Sequence, residues 1–141
     1  MSVLAVVSKA VFEKEARSGR TLLGIGATWA TARYASENPA LASLQGGGDL
    51  WLVTVRPGDV LWLVGVLRSP EAKSGGWSAE PNEVPIRDIT ALVPELRFAS
   101  GKGVTAAPGK LGMSLQTPRV LADGDVALLE AAAKGARGKG D

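Results

Sequence analysis

Apolar and polar positions fall in short blocks along the chain. Val3 to Val7, "VLAVV", is an unbroken β-branched run that predicts a buried strand. Ser8 stands after it as an N-cap, and Ala10, Val11 and Phe12 open a helix in "KAVFEKEAR". Thr21 to Leu23 reads either as loop or as a short strand. "SENPALASL" predicts one or two helical turns, capped by Ser36 or Asn38. Pro39 then sits in the first turn, where its missing N–H costs nothing, and "QGGGD" ends the element.

The strongest block is "DLWLVTVRPGDVLWLVGVL", from Asp49 to Leu67. Its two apolar runs read as a hairpin over 50–67, with Pro57 and Gly58 as the central turn residues. That register sets Val53 opposite Trp62 and Trp51 opposite Val64. Both tryptophans then share one face with Val53, Val55, Val60, Val64 and Val66, and the leucines take the other. A loop one residue longer or shorter would put the two rings on opposite faces. Since both faces are apolar, the hairpin is expected at the centre of a sheet covered on both sides.

Beyond it, "RSPEAKSGGWSAEPNEVP" reads as a polar loop carrying Trp77, and Asp88 to Leu96 as a short helix cut or kinked by Pro94. "ASGKGVTAAPGK" reads as a second flexible loop, and "LGMSLQTPRVL" as a strand ended by Pro118. "ADGDVALLEAAAKG" reads as a helix capped by Asp123 or Asp125, with Val126, Leu128 and Leu129 inward and Gly135 as its stop. The expected fold is α+β. Residues 1–134 form a single domain with a small mixed or antiparallel sheet or open barrel, flanked by three to four short helices. Residues 135–141 form a basic flexible tail.

Composition narrows the chemistry. With 45% hydrophobic and 21% charged residues, the chain has the balance of an ordinary globular domain. The formal charge of +2 is small, but from Arg97 to Arg119 there is no acidic residue. That basic stretch favours a polyanion. The sequence holds no cysteine and no histidine, which removes disulfides, thiol nucleophiles, histidine triads and most zinc or iron sites. No apolar stretch approaches the ~20 residues of a membrane span, and Met1 to Arg20 lacks the marks of a signal peptide. The expectation is a cytoplasmic, non-enzymatic protein with no cofactor, no metal and no membrane partner.

Two glycine loops, "GIGATW" and "GVTAAPGKL", lack the spacing of dinucleotide or phosphate loops and read as turns. Asp123 and Asp125 are accounted for by capping. What remains is aromatic and cationic. Trp51 and Trp62 lie in apolar strands and read as core, whereas Trp29 and Trp77 lie among small polar residues and read as pocket neighbours.

Several segments, taken in order, resemble the PUA-like superfamily, especially its EVE branch with ASCH and YTH relatives. "VLAVVSKAVFEKEARSG" is similar to the opening strand and helix, and "TWATARYASENPALASL" to the segment in which a Trp precedes an Arg. "GGGDLWLVTV" with "VLWLVGVL" resembles the family hairpin, Gly65 matching the glycine of its second strand. "VPIRDITALVPEL" and "LGMSLQTPRVLADGDVALL" resemble the later helix, strand and closing helix. At the end of the first hairpin strand, "VTVRP" offers Thr54 and Arg56. The chain also resembles small uncharacterised bacterial proteins.

The resemblance implies a barrel-like domain whose pocket reads a base, often a modified one, in DNA or RNA. Its ligand residues would be Ser8, Lys9, Trp29, Arg33, Thr54 and Trp77. A flipped base would stack on Trp29 or Trp77, while Ser8 or Thr54 reads its edge. Lys102, Lys110 and Arg119, with Arg33, would hold phosphates. The other expectation is a protein-interaction or regulatory module, with a protein partner or a homo-oligomer formed through an exposed sheet edge.

Overall fold

A computed structural model describes residues 1–18, 24–104 and 109–135. The possible strand at 21–23, part of the loop at 99–110 and the tail beyond Gly135 lie outside these residues. The described strands form two open sheets. In the larger, of order β7-β4-β3-β1-β8, β1 (Val3–Val6) runs parallel to β3 (Leu50–Arg56), and every other pairing is antiparallel. β4 is Val60–Leu67, β7 is Arg87–Asp88 and β8 is Arg119–Val120. The smaller sheet is antiparallel, of order β2-β6-β5, built from Arg33–Ala35, Gly76–Ser78 and Glu71–Lys73. The fold is a small α+β domain with no closed barrel among the described residues.

Each face of the larger sheet carries a core. On one side Leu4, Trp51, Val53, Leu61, Leu63 and Val66 pack beneath α2 (Leu111–Ser114), α3 (Asp123–Ala133) and a 3₁₀ helix at Thr90–Glu95. On the other, Val3, Ala5, Leu50, Leu52, Val64 and Leu67 pack beneath α1 (Lys9–Ser18), a 3₁₀ helix at Pro39–Gly46 and the smaller sheet. This double cover is why the hairpin is apolar on both faces. Asn38 caps the second 3₁₀ helix, its side chain accepting the Ala40 N–H at 2.9 Å.

The hairpin register differs from the expected one by one residue. Its loop comprises Pro57, Gly58 and Asp59, so Arg56 faces Val60 and Thr54 faces Trp62. Asp59 sits at φ 59°, in the left-handed region that Asp tolerates better than most residues. The single step puts the two tryptophans on opposite faces. Trp51 is fully buried in the first core, and Trp62 is half-buried against the second. A bulge then leaves Val64 unopposed between the Val53–Leu63 and Leu52–Gly65 pairs.

Two further expectations fail. The polar segment after Leu67 is a hairpin of β5 and β6, not a loop, and Trp77 pairs with Tyr34 and Ala72 inside it. Gly76 has no alternative residue there, because a Cβ would collide with the Tyr34 carbonyl. "LGMSL" is a helical turn, not a strand. Leu111 and Leu115, four apart, are both buried in the first core, and the strand begins only after Pro118. Within the segment Asp88 to Leu96 the helix is 3₁₀ rather than α, spans Thr90–Glu95 and contains Pro94, while Asp88 belongs to β7.

Candidate functional site

Parallel β1 and β3 bring their carboxyl ends together, and two hydroxyls finish the end of β1. The Tyr34 hydroxyl donates to the Val6 carbonyl at 3.0 Å, and the fully buried Thr54 hydroxyl donates to the Val7 carbonyl at 2.9 Å. The Val7 N–H donates to the Val53 carbonyl at 2.7 Å. Ser8 then caps α1, its Oγ accepting the Val11 N–H at 3.2 Å.

Burial raises the Tyr34 hydroxyl above the usual 10.0. The fold therefore favours the neutral phenol: its contribution is complete below pH 10.0 and declines as pH rises through the native value. Tyr34 is the single tyrosine of the chain, so the ultraviolet phenolate titration reads it alone. Its native midpoint is expected above that of the urea-unfolded chain, and Tyr34→Phe should flatten the alkaline loss of stability.

Beyond these strand ends lies a cleft of about 840 Å³. Val6 and Val55 give it apolar surface. Ser8, Arg56, Asp59 and Gln116 add polar groups, and Gly109 and Gly112 border it from the segment that crosses the hairpin turn. Asp59 holds that segment in place. Its Oδ2 accepts the Gly109 N–H at 2.5 Å, and its Oδ1 the Leu111 N–H at 3.4 Å. Open sheets tend to bind ligands outside the carboxyl ends of parallel strands, and this cleft has that position.

Around the edge of the sheet stands an aromatic cluster. Phe12 meets Trp29 edge-on at 5.7 Å and Trp62 edge-on at 6.4 Å between ring centroids. The Arg56 guanidinium lies 5.1 Å from the Trp62 centroid and 5.9 Å from that of Phe12. Arg56 thus belongs to both the cleft and the cluster.

The residues expected at the site divide. Ser8 lines the cleft, and Lys9 follows it as the first residue of α1. Lys110 is exposed beside Gly109, at the start of α2. Thr54 is spent on the Val7 carbonyl, so it builds the site and has no hydroxyl proton left to read a ligand. Trp29 is half-buried in the aromatic cluster and does not border the cleft, and Trp77 is only 7% exposed within the second core. Arg33 is exposed on β2 opposite Ser78, and Lys102 on the loop after Phe98. Arg119 donates to the Ser114 carbonyl at 2.7 Å and stacks on Phe98 at 5.3 Å, so its donors are partly committed.

Val6, Val55, Asp59 and Gln116 were not foreseen. The available signal was Arg56-Pro57-Gly58-Asp59, a charged turn inside an otherwise apolar hairpin. No family model, curated protein or solved structure matches the chain.

Proposed function

We propose that this chain is a cytoplasmic, non-enzymatic module that binds single-stranded nucleic acid, taking one base, modified or not, into the cleft between Ser8, Val55 and Gly112. The observation that carries this reading is the cleft itself: nucleotide-sized, apolar at Val6 and Val55, and edged by hydrogen-bonding groups. Val6 and Val55 offer a surface for a base face, while the Ser8 hydroxyl and the Gln116 amide can read its edge. Lys110 and the basic stretch around it favour the strand's phosphates. The PUA-like resemblance points to the same class of ligand, with the base seated at Ser8 rather than at Trp77.

A partner-protein or self-pairing reading through a sheet edge has less support. The outer strand β5 is three residues long and bears Glu71 and Lys73, features that discourage edge pairing.

Gly112 supplies the test. A Cβ there would stand 4.0 Å from Val55 Cγ2, in ordinary contact, so Gly112→Leu should fill the cleft without disturbing the core. Fluorescence anisotropy at low salt should show the native chain binding a labelled single-stranded oligonucleotide, more weakly as salt rises. Gly112→Leu should lower affinity at least about tenfold. Absence of binding to both modified and unmodified strands, or an unchanged Gly112→Leu, would sink the reading.

A further inference from the structure

The geometry points to Arg56 as the anchor for a backbone phosphate of the strand in the cleft. This rests on the reading above, and it narrows the ligand from a free base to a phosphodiester-linked nucleotide.

Arg56 ends β3 at the mouth of the cleft, with its side chain 23% exposed. Its guanidinium carbon lies over the rings of Trp62 and Phe12, which stand perpendicular to each other and confine the fork on two sides. Yet none of its N–H groups donates a hydrogen bond among the described residues, and Nη1 is buried without a partner. Among the described residues the nearest counter-charge, Glu13 Oε2, stands 3.8 Å from Nη1, beyond hydrogen-bond reach.

Arg87 Nε is also buried without a partner among these residues, but Arg87 lies on β7 and does not line the cleft, and three other arginines are committed. Arg68 forks onto Glu130 at 2.8 and 3.0 Å and also reaches Asp49, Arg97 donates to the Pro94 carbonyl, and Arg119 to that of Ser114. A mostly buried guanidinium with unused donors is costly. Its planar fork matches the two oxygens of a phosphate, and a departure from satisfied polar groups is expected where function requires it. Glu13 is then a competitor: it holds Arg56 loosely when the cleft is empty and opposes the incoming anion.

The experiment compares two tetranucleotides of one sequence, one with phosphodiester and one with uncharged methylphosphonate linkages, by calorimetry at low salt. The native chain should bind the phosphodiester strand about tenfold more tightly. Arg56→Gln should cut that preference at least about threefold, the remainder coming from Lys110 and its basic neighbours. Glu13→Gln should strengthen phosphodiester binding roughly threefold and leave the neutral strand alone.

Thermal melts check that each variant folds; should Arg56→Gln fail to, the Glu13→Gln measurement decides. Equal affinity for the two strands, a preference undiminished in Arg56→Gln, or a Glu13→Gln chain indistinguishable from native would overturn the assignment with base binding intact. Binding of neither strand would overturn the nucleic-acid reading and this assignment with it.

Discussion

Replacing Asp125 by Ala is expected to cost about 3–5 kcal/mol of stability, a large share of the ~5–15 kcal/mol of a typical domain. The carboxylate is 2% exposed at the third residue of α3. Its Oδ1 accepts the Arg97 N–H at 2.9 Å, and its Oδ2 accepts those of Phe98 at 2.7 Å and Ala122 at 2.9 Å. The Ala122 bond caps the helix; the other two pin the loop on which Phe98, itself buried, holds φ 60°. Removing the carboxylate leaves buried donors unpaired and frees a strained residue. Asp125→Asn separates hydrogen bonding from packing. The amide keeps the shape but presents N–H groups toward N–H groups, and should still cost about 2 kcal/mol. Urea unfolding of both variants measures this, and an Asn variant as stable as native would contradict the account.

Asn82→Ala should be nearly as damaging, at about 3 kcal/mol. Asn82 is 3% exposed, and its amide is fully used. Oδ1 accepts the Val66 N–H at 2.9 Å and the Val84 N–H at 3.0 Å, while Nδ2 donates to the Trp29 carbonyl at 2.9 Å and the Val84 carbonyl at 3.1 Å. It therefore joins β4, just past the bulge, to the segment that carries Trp29. Asn82→Asp preserves the shape but sets a carboxylate oxygen against two carbonyls. Its unfolding midpoint should fall at least as far as that of Asn82→Ala at neutral pH and recover on acidification, when the carboxyl regains a proton to donate. No loss at neutral pH would show that the bonds from Nδ2 contribute little.

How much was legible follows from where the information lies. β1, α1 with its Ser8 cap, the apolar hairpin and α3 carry their signals within a few neighbouring residues, and all are present. The hairpin register was not legible, because it turns on Asp59 accepting a left-handed conformation. That conformation is held by the N–H groups of Gly109 and Leu111, about fifty residues on. β5 was hidden because its three residues are exposed, and β6 because it is only three residues long and Tyr34 pairs with it from afar. Leu111 and Leu115 fit a strand face as well as a helix turn, and only packing chose the helix.

The candidate site shows the same division. Ser8 was legible at the site only through the family resemblance, and Lys110 through the charge pattern. Val6 and Val55 look like core residues in one dimension, and nothing local shows that their strands end beside each other at a cleft. The tryptophans drew attention because aromatic residues in polar stretches resemble ligand contacts. Trp77 is instead wall material, and Trp29 reaches the site only through Phe12 and Arg56.

The most direct test of the cleft as the ligand site is a two-dimensional amide NMR titration of the native chain with a single-stranded oligonucleotide. The account predicts saturable shifts concentrated at Ser8, Val55, Arg56, Gly109, Gly112 and Gln116, with little change across β5 and β6. Shifts centred instead on Arg33 and Trp77, or on the groove between Arg68 and Glu80, would contradict it, as would a spectrum that does not change.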